Sequence, residues 1–580
     1  MATDNHRVAR LLYELGALSE RLDDRSRRFR ANAYRRAADT VANLDADVLA
    51  LTAEELTALP GVGAGTAARI DELRRTGTIA RLEELRALDP YGAEELLRVP
   101  GLGPRTVARL RDALDVRDIA GLRAALASER VRTVRGLGPL TEQRLREALH
   151  DLDLDDAADD SRLPIVDAVG HATRLTGLVR RLDGVTSVSW AGDLGRLSDT
   201  VGMIDLVAAS EAPAQVVRAA TAMPAVRDDA YVRDATVKLQ TFEGPGVRLT
   251  VVPAARLGPA LIHVTAAPGH WRALERLAGA RSLRLTPDAL HAADGGLLAT
   301  PDAAAVYAAL DLQPVPAEQR DGSDELALAQ DGRLPQCATL GDLRGDLHDH
   351  TDWSGDGRMT LRQLLDAAVE RGWEYVGVTD HAEDLRINGL DRAAMRRQRD
   401  EIRSLRTAYD GLAVLHGAEL NIGADGGVDY DPDFVAGYDW TVASVHSLFD
   451  LDVRAQTARV VAAIRNPAVH AIGHLTGRRI GRRPGIRLDV EAVLDACLAT
   501  GTALEVNCHL DRLDAPAEIL REAADRGVFV VISTDAHGVG DLDNHRWGVR
   551  LARRGRVPHH LVANTWPVER FLAWTRSRGL

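Results

Sequence analysis

Lysine is almost missing from this chain. Lys238 is the only one, and arginine supplies the rest of the 72 basic side chains. Arginine abundance of that kind follows codon usage and identifies no function by itself. Cysteine is scarce too: Cys337, Cys497 and Cys508 form no CxxC pair, which argues against a disulfide framework and a thiolate metal site. No run approaches the ~20 apolar residues that cross a bilayer, and the start, MATDNHRVAR, lacks a signal-peptide core. No membrane contact and a cytoplasmic location are therefore expected. What is present is ordinary for a globular protein, with 45% hydrophobic and 27% charged residues. A chain of 580 residues is too long for one core, so two to four domains are expected.

The net charge of -13 is uneven. Residues 1–150 hold 25 arginines against 23 acidic residues, a balance of +2 that leaves -15 for the other 430. A near-neutral head on an acidic body is compatible with nucleic-acid contact at the head. That head carries three copies of one small turn: LPGVGAGTAARIDEL (59–73), VPGLGPRTVARLRDAL (99–114) and VRGLGPLTEQRLREAL (134–149). Each reads as a Gly-x-Gly turn opening an amphipathic helix. Glycine permits positive φ, and the N–H groups and dipole of a helix start suit a phosphate oxygen. The candidate backbone sites are Gly61, Gly63, Gly101, Gly103, Gly136 and Gly138, with Arg69, Arg105 and Arg109 on the following helices. The pattern resembles the helix-hairpin-helix motif, which implies gripping of DNA backbone without base reading.

Upstream, RRFRANAYRRAADTVANL (27–44) resembles the opening domain of X-family DNA polymerases, through Phe29, Ala33, Tyr34, Arg35 and Ala37. The lyase lysine that this domain can carry matches Arg69 here, and a guanidinium forms no Schiff base. Further on, WAGDLGRLSDTVGMIDLVAAS (190–210) resembles the family's nucleotidyltransferase signature. Two-metal chemistry needs clustered carboxylates. The serine of the Gly-Ser turn is Asp193, the first Asp of the Asp-x-Asp pair is Met203, and only Asp205 survives. In the later strand GVRLTVVP (246–253), Arg248 takes the third carboxylate's place. The thumb-like HVTAAPGHWRALERLA (263–278) has Ala266 and Ala267 where Gly and Ser are usual. The resemblance implies a retained palm fold with a degenerate polymerase site.

Histidines concentrate at the end: 12 of 18 lie in the last 240 residues. The stretch GDLHDHTDWSGDG, neither helix-like nor strand-like, carries His348, His350 and Asp356; apolar strand-like runs then repeatedly end in a ligand type: YVGVTDH at His381, LAVLHGAE at Glu419 and WTVASVH at His446. AVHAIGH ends at His474, and VFVVISTDAH at Asp535 and His537. Helical stretches such as LRQLLDAAVERG (361–372) and DVEAVLDACLATG (489–501) lie between them. Alternating strands and helices predict an α/β barrel, whose active site gathers at strand C-termini. Any one histidine reads most simply as structural; the recurring set reads as a metal cluster.

These runs closely resemble the PHP (polymerase and histidinol phosphatase) family, a distorted barrel of about seven strands that binds up to three metals. The resemblance implies one metal on His348, His350, Glu419 and Asp535, a second on His446, His474 and Glu419, and a third on Asp356, His381 and His537. Two to three divalent metals are expected, Mn²⁺ or Zn²⁺ (Fe²⁺ also suits), since imidazole and carboxylate mix in the ligand set. Such cations lower the pKa of water and clamp phosphate oxygens. Asp535, His537, Glu419 and the candidate phosphate clamp Arg478 are the expected catalytic residues. His416, His470, His509, His545, His559 and His560 read as structural.

The chain as a whole resembles bacterial X-family polymerases with a C-terminal PHP domain. The expected division is 1–88 helical with a first hairpin, 89–155 a fingers-like hairpin domain, 156–311 palm and thumb, 312–340 linker and 341–580 barrel. The expected function is a monomeric, DNA-binding 3′–5′ exonuclease or 3′-phosphatase of DNA repair. The rivals are an active polymerase with exonuclease, a histidinol-phosphate-like phosphatase, and a non-enzymatic DNA-binding scaffold.

Overall fold

The computed structural model describes residues 2–22, 27–88, 104–116, 119–151, 162–227, 230–242 and 244–578, with single positions 96, 99 and 102. Two compact units share the chain. One comprises residues 1–163, 170–190 and 201–257, the other 164–169, 191–200 and 258–580.

The first unit opens on paired helices, Ala2–Leu22 and Arg27–Ala42. Asn5 ties the first to the loop beyond the second, donating to Leu44 O and Ala46 O at 2.8 Å each. Thr52 and Glu55 form a reciprocal capping box on the short helix Ala53–Ala58, which leads into the first hairpin turn and the helix Ala64–Thr76. The sequence between the hairpins and the strands is followed by a five-stranded sheet. Its order is Ser187–Ala191, Ile204–Ala209, Val247–Val252, Thr236–Leu239, Tyr231–Arg233. The buried strand Ile204–Ala209 runs parallel to Val247–Val252, with Asp205 opposite Arg248.

The second unit is dominated by seven parallel strands in sequential order: Gly345–Asp349, Tyr375–Val378, Ala413–Asn421, Trp440–Ser444, Ala471–Ile472, Ala503–Asn507 and Val530–Ser533. The first and seventh approach closely enough that His350 N donates to Ala536 O at 2.8 Å, so the sheet nearly closes. The helices between strands start on local caps: Thr360 with Gln363 forms a capping box, and Asp391, Asp452 and Asp489 each accept a first-turn N–H. Residue period two lines the interior. At the strand starts the inward residues are apolar; Tyr375, Leu415, Trp440, Ala471, Ala503 and Val531 pack with Trp566 and Phe571 in one buried cluster. The Tyr375 and Phe571 rings stack 4.5 Å apart. Two to four residues further along the same strands, the inward positions turn polar: Glu419, Glu505 and Asn507 are all buried.

The expected boundaries at 311 and 340 are not where this fold divides. Residues 258–340 belong to the unit of the barrel. Leu312, Val315, Leu326 and Ala329 are buried in one cluster with Ile262 and Trp271, which no spacer would do. Polar clasps add to this: Arg550 Nε donates to Glu318 Oε1 at 2.6 Å, and Gln319 Nε2 to Arg553 O at 2.7 Å. The polar, Pro- and Gly-bearing composition of 312–340 hid these few apolar anchors.

Candidate metal centre

The ligand-type residues singled out in the last third of the chain gather at the C-terminal ends of barrel strands, Asp356 on the loop after the first. Glu419, fully buried, is the hub. Its two oxygens lie 3.5 Å from His348 Nε2, 3.6 Å from His350 Nε2, 2.8 Å from His381 Nδ1, 3.1 Å from His446 Nε2 and 3.0 Å from His474 Nε2. Asp535 Oδ1 lies 3.3 Å from His350 Nε2 and 3.8 Å from both His348 Nε2 and His537 Nδ1. Asp356 Oδ2 faces His381 Nε2 at 3.2 Å and His537 Nε2 at 3.5 Å. Two ligand residues hold left-handed backbone, His474 at φ 25° and Asp535 at φ 54°, a strained geometry that turns each side chain at the strand end.

Three sets bring ligand atoms within 4.8 Å of one another: His348, His350 and Asp535; His381, Glu419 and His446; and His350, Asp356, His381 and His537. The partition differs from the one that the resemblance implies, because His350 and His381 each face two sets. His474 lies outside these three sets, beside Glu419 and the rings of His348 and His446.

The chemistry of these groups fits divalent metals. His348 Nε2, both nitrogens of His350, Asp356 Oδ1 and Glu419 Oε2 are buried without a hydrogen-bond partner among the described residues. Leaving such atoms unpaired costs about 1–3 kcal/mol each, and a cation satisfies several at once. Burial, reinforced by the His381 charge, pushes His350 down to about 3; burial and the charge of Arg512 push His474 down to about 3. Both therefore offer neutral lone pairs. Burial alone would discharge His381, but Glu419 and Asp356 outweigh it and hold the ring up at about 10. His348 is likewise raised, against burial, by Glu505 and Glu419. The same histidines draw Glu419 well below the usual carboxylate range despite its burial. Protons and cations would compete for the same nitrogens.

Outer residues orient the ligands, and several were not singled out from sequence. Glu505 Oε1 contacts His348 Nδ1 at 2.6 Å, leaving Nε2 for the cluster, and its Oε2 accepts His474 N at 2.6 Å. Asn421 Oδ1 fixes His446 Nδ1 at 2.7 Å, and Asn507 Nδ2 donates to Asp535 Oδ2 at 3.1 Å. Asp380 accepts from Thr351 N, Ser354 Oγ and Gln398 Nε2 at 2.7, 2.5 and 2.6 Å, anchoring the loop that carries Asp356. Arg478 is not turned to the cluster: Asp199 and two backbone carbonyls take its guanidinium. The arginine beside the cluster is Arg512, whose Nε lies 3.5 Å from Asp535 Oδ2. Of the histidines read as structural, His416 accepts from Arg399 Nε at 3.2 Å and His470 contacts Thr441 Oγ1 at 3.0 Å.

In the head, the two described hairpin turns repeat one geometry. Gly61 and Gly136 sit at φ 78° and 85°, and Val62 and Leu137 between the glycines are buried. Gly63 and Gly138 are exposed at the start of the helices Ala64–Thr76 and Pro139–Asp151, and their carbonyls accept from Thr66 N and Thr141 N at 3.0 Å each. A Cβ on Gly136 would come 2.9 Å from Arg109 Nη1, so Arg109 lies across the third turn. Arg69 pairs with Glu72 at 2.9 Å. Gly101 and Gly103 lie outside the described residues, as does the side chain of Arg105. In the sheet, Arg248 Nε donates to Asp205 Oδ1 at 2.6 Å, and Asp205 is buried.

Known proteins agree with these parts. Residues 3–79 match the helix-hairpin-helix domain, 93–151 the SAM-like helix-hairpin-helix tandem, and 346–509 the PHP domain. Over 561 residues, 96% of either chain, the sequence is 31% identical to the DNA polymerase/3'-5' exonuclease PolX of Bacillus subtilis. This chain belongs to the PolX family. The chain is also similar to shorter proteins, each named a probable phosphatase. That of Vibrio campbellii is 28% identical over 41% of this chain and 94% of its own length. That of Caldicellulosiruptor saccharolyticus is 25% identical over 41% and 98%. The PHP match ends before Asp535 and His537, which the seventh strand brings to the same cluster. No helix among the described residues is long and apolar enough to cross a membrane.

Proposed function

We propose that this protein is a DNA-end-processing phosphoesterase, a 3′–5′ exonuclease or 3′-phosphatase of DNA repair, whose hydrolysis takes place in the barrel. The observation that carries this reading is the convergence of five imidazoles on the buried carboxylate of Glu419. Two to three divalent cations, Mn²⁺ or Zn²⁺, would be held by His348, His350, Asp356, His381, Glu419, His446, His474, Asp535 and His537. When bound, such cations supply Lewis acidity toward phosphate oxygens and make water more acidic. The chain's own residues fix His348, His446 and His537 by a hydrogen bond at the far nitrogen, and give the negative charge that several cations require. The head supplies sequence-independent grip on DNA backbone through Gly61, Gly63, Gly101, Gly103, Gly136 and Gly138, with Arg69, Arg105 and Arg109 assisting.

The polymerase-like sheet is inactive in this reading. Met203 offers no oxygen ligand, and Arg248 places a cation on the one remaining carboxylate, Asp205. The shorter relatives named probable phosphatases favour a second reading, hydrolysis of small phosphomonoesters. Metal analysis of the purified protein, with assays on 3′-recessed and 3′-phosphorylated gapped duplexes before and after chelation, tests both. The first reading expects metal-dependent release of mononucleotides or phosphate from DNA. Turnover of small phosphomonoesters with none on DNA would replace it by the second.

A further inference from the structure

Two arginines near the cluster have different work. Arg478 gives Nη1 and Nη2 to the carboxylate of Asp199 at 2.7 and 3.2 Å, Nε to Arg512 O at 2.7 Å and Nη2 to Leu513 O at 2.6 Å. Each of its three nitrogens has an acceptor, so substrate is not what it waits for. Its targets are instructive: the carbonyls it holds belong to the segment that presents Arg512, and Leu513 lies there at φ 44°. A leucine in left-handed backbone persists only when its surroundings impose it. Arg478 and Asp199 are such surroundings.

Arg512 itself is buried, with 10% of its side chain exposed; Asp535 Oδ2 lies 3.5 Å from its Nε, and its charge also favours the ionised form of buried Asp514. Asn507 takes that same oxygen, while Oδ1 faces His348, His350 and His537. The guanidinium thus stands beside the cluster rather than within it. Its Nη groups find no hydrogen-bond acceptor among the described residues. A planar fork of donors in that position matches two oxygens of a phosphate, a recognition that lysine cannot copy.

We propose that Arg512 is the phosphate-binding residue of the barrel, and that Asp199 and Arg478 are positioning residues which fix the backbone that aims it. The ligand class is a phosphate ester, a phosphodiester or a terminal phosphate, so the proposal rests on the phosphoesterase reading above. The test uses the full-length protein with its metal content measured. Arg512→Ala is expected to lower kcat/KM for p-nitrophenyl phosphate by roughly 10²–10³-fold. It should weaken inhibition by inorganic phosphate, leave metal per chain unchanged, and regain part of its rate on adding guanidinium ion. Asp199→Asn should lose less, at most roughly 10²-fold, again with metal retained. Loss of metal in Arg512→Ala would overturn the proposal, because Arg512 would then merely support Asp535. Wild-type phosphate inhibition in that variant would overturn it too. Should Arg512→Ala not fold, Arg512→Lys decides: undiminished phosphate inhibition refutes the fork. Thermal stabilisation by inorganic phosphate in the wild type but not in Arg512→Lys would support the site even if no ester were hydrolysed, which separates this proposal from the reading it rests on.

Discussion

The barrel and the five-stranded sheet both set carboxylates on parallel strands, yet those carboxylates have opposite neighbours. Glu419 faces five imidazoles, each able to give up a proton and offer a lone pair. Asp205 faces Arg248 Nε at 2.6 Å, and a guanidinium can neither lose its proton nor ligate. The first arrangement leaves buried donor atoms that only a cation satisfies. The second is already neutral. What decides between a metal site and an ion pair is therefore the partner across the strand, not the carboxylate itself.

The comparison breaks most visibly at its hub. Glu419→Gln keeps shape but removes the shared charge, and should cost on the order of 10³-fold or more in hydrolysis, with metal lost on dialysis. Elemental analysis beside kinetics checks both, and full metal content in an active Glu419→Gln protein would undo the hub assignment. One step outward, Glu505→Gln should weaken metal affinity by roughly 10–100-fold, because His348 loses the acceptor that fixes its ring. Competition with a chelator measures it; unchanged affinity would reduce Glu505 to a packing residue.

Acidity sharpens the contrast further. In the metal-free cluster His381 holds its proton up to about 10, and His348 is raised as well. Metal must displace those protons, so apparent affinity should rise with pH below that value, by up to about tenfold per unit for each proton displaced. Titration calorimetry in two buffers of different ionisation enthalpy reads the release directly. Binding that frees no proton would show that the imidazoles are not the ligands. The smallest effect is expected in the head. Gly61→Val with Gly136→Val strains two turns at φ 78° and 85°. The double variant should bind duplex DNA more weakly, with a shallower dependence on log salt, while hydrolysis of p-nitrophenyl phosphate is spared. Equal loss of both activities would show that the turns serve folding alone.

The candidate metal site was legible because its residues lie at or near the ends of apolar runs. His381, His446, His474 and Asp535 lie two or three residues beyond a strand and Glu419 two residues before the end of one, and a parallel barrel brings strand ends together. Glu505 escaped notice although it sits third from the end of its strand, as Glu419 does in its own; a carboxylate within a buried strand is itself a signal. Arg478 was singled out for its closeness in sequence to His474. Its real partner, Asp199, lies 279 residues away, and no local pattern foretells such a pairing. Arg512 gains meaning only from the loop that Arg478 holds. Met203 and Arg248 stood out against the signature that the sequence resembles, and strand register sets Arg248 directly opposite Asp205.

One experiment sets the two regions against each other on a single substrate. A 5′-labelled primer on a gapped duplex is incubated with the full-length protein, Mn²⁺ and all four dNTPs, and its length is followed with time. The account expects the primer only to shorten or lose a terminal phosphate, equally in Asp205→Asn and not at all in Glu419→Gln. Primer lengthening that persists in Glu419→Gln and vanishes in Asp205→Asn would contradict it, because catalysis would then reside in the sheet.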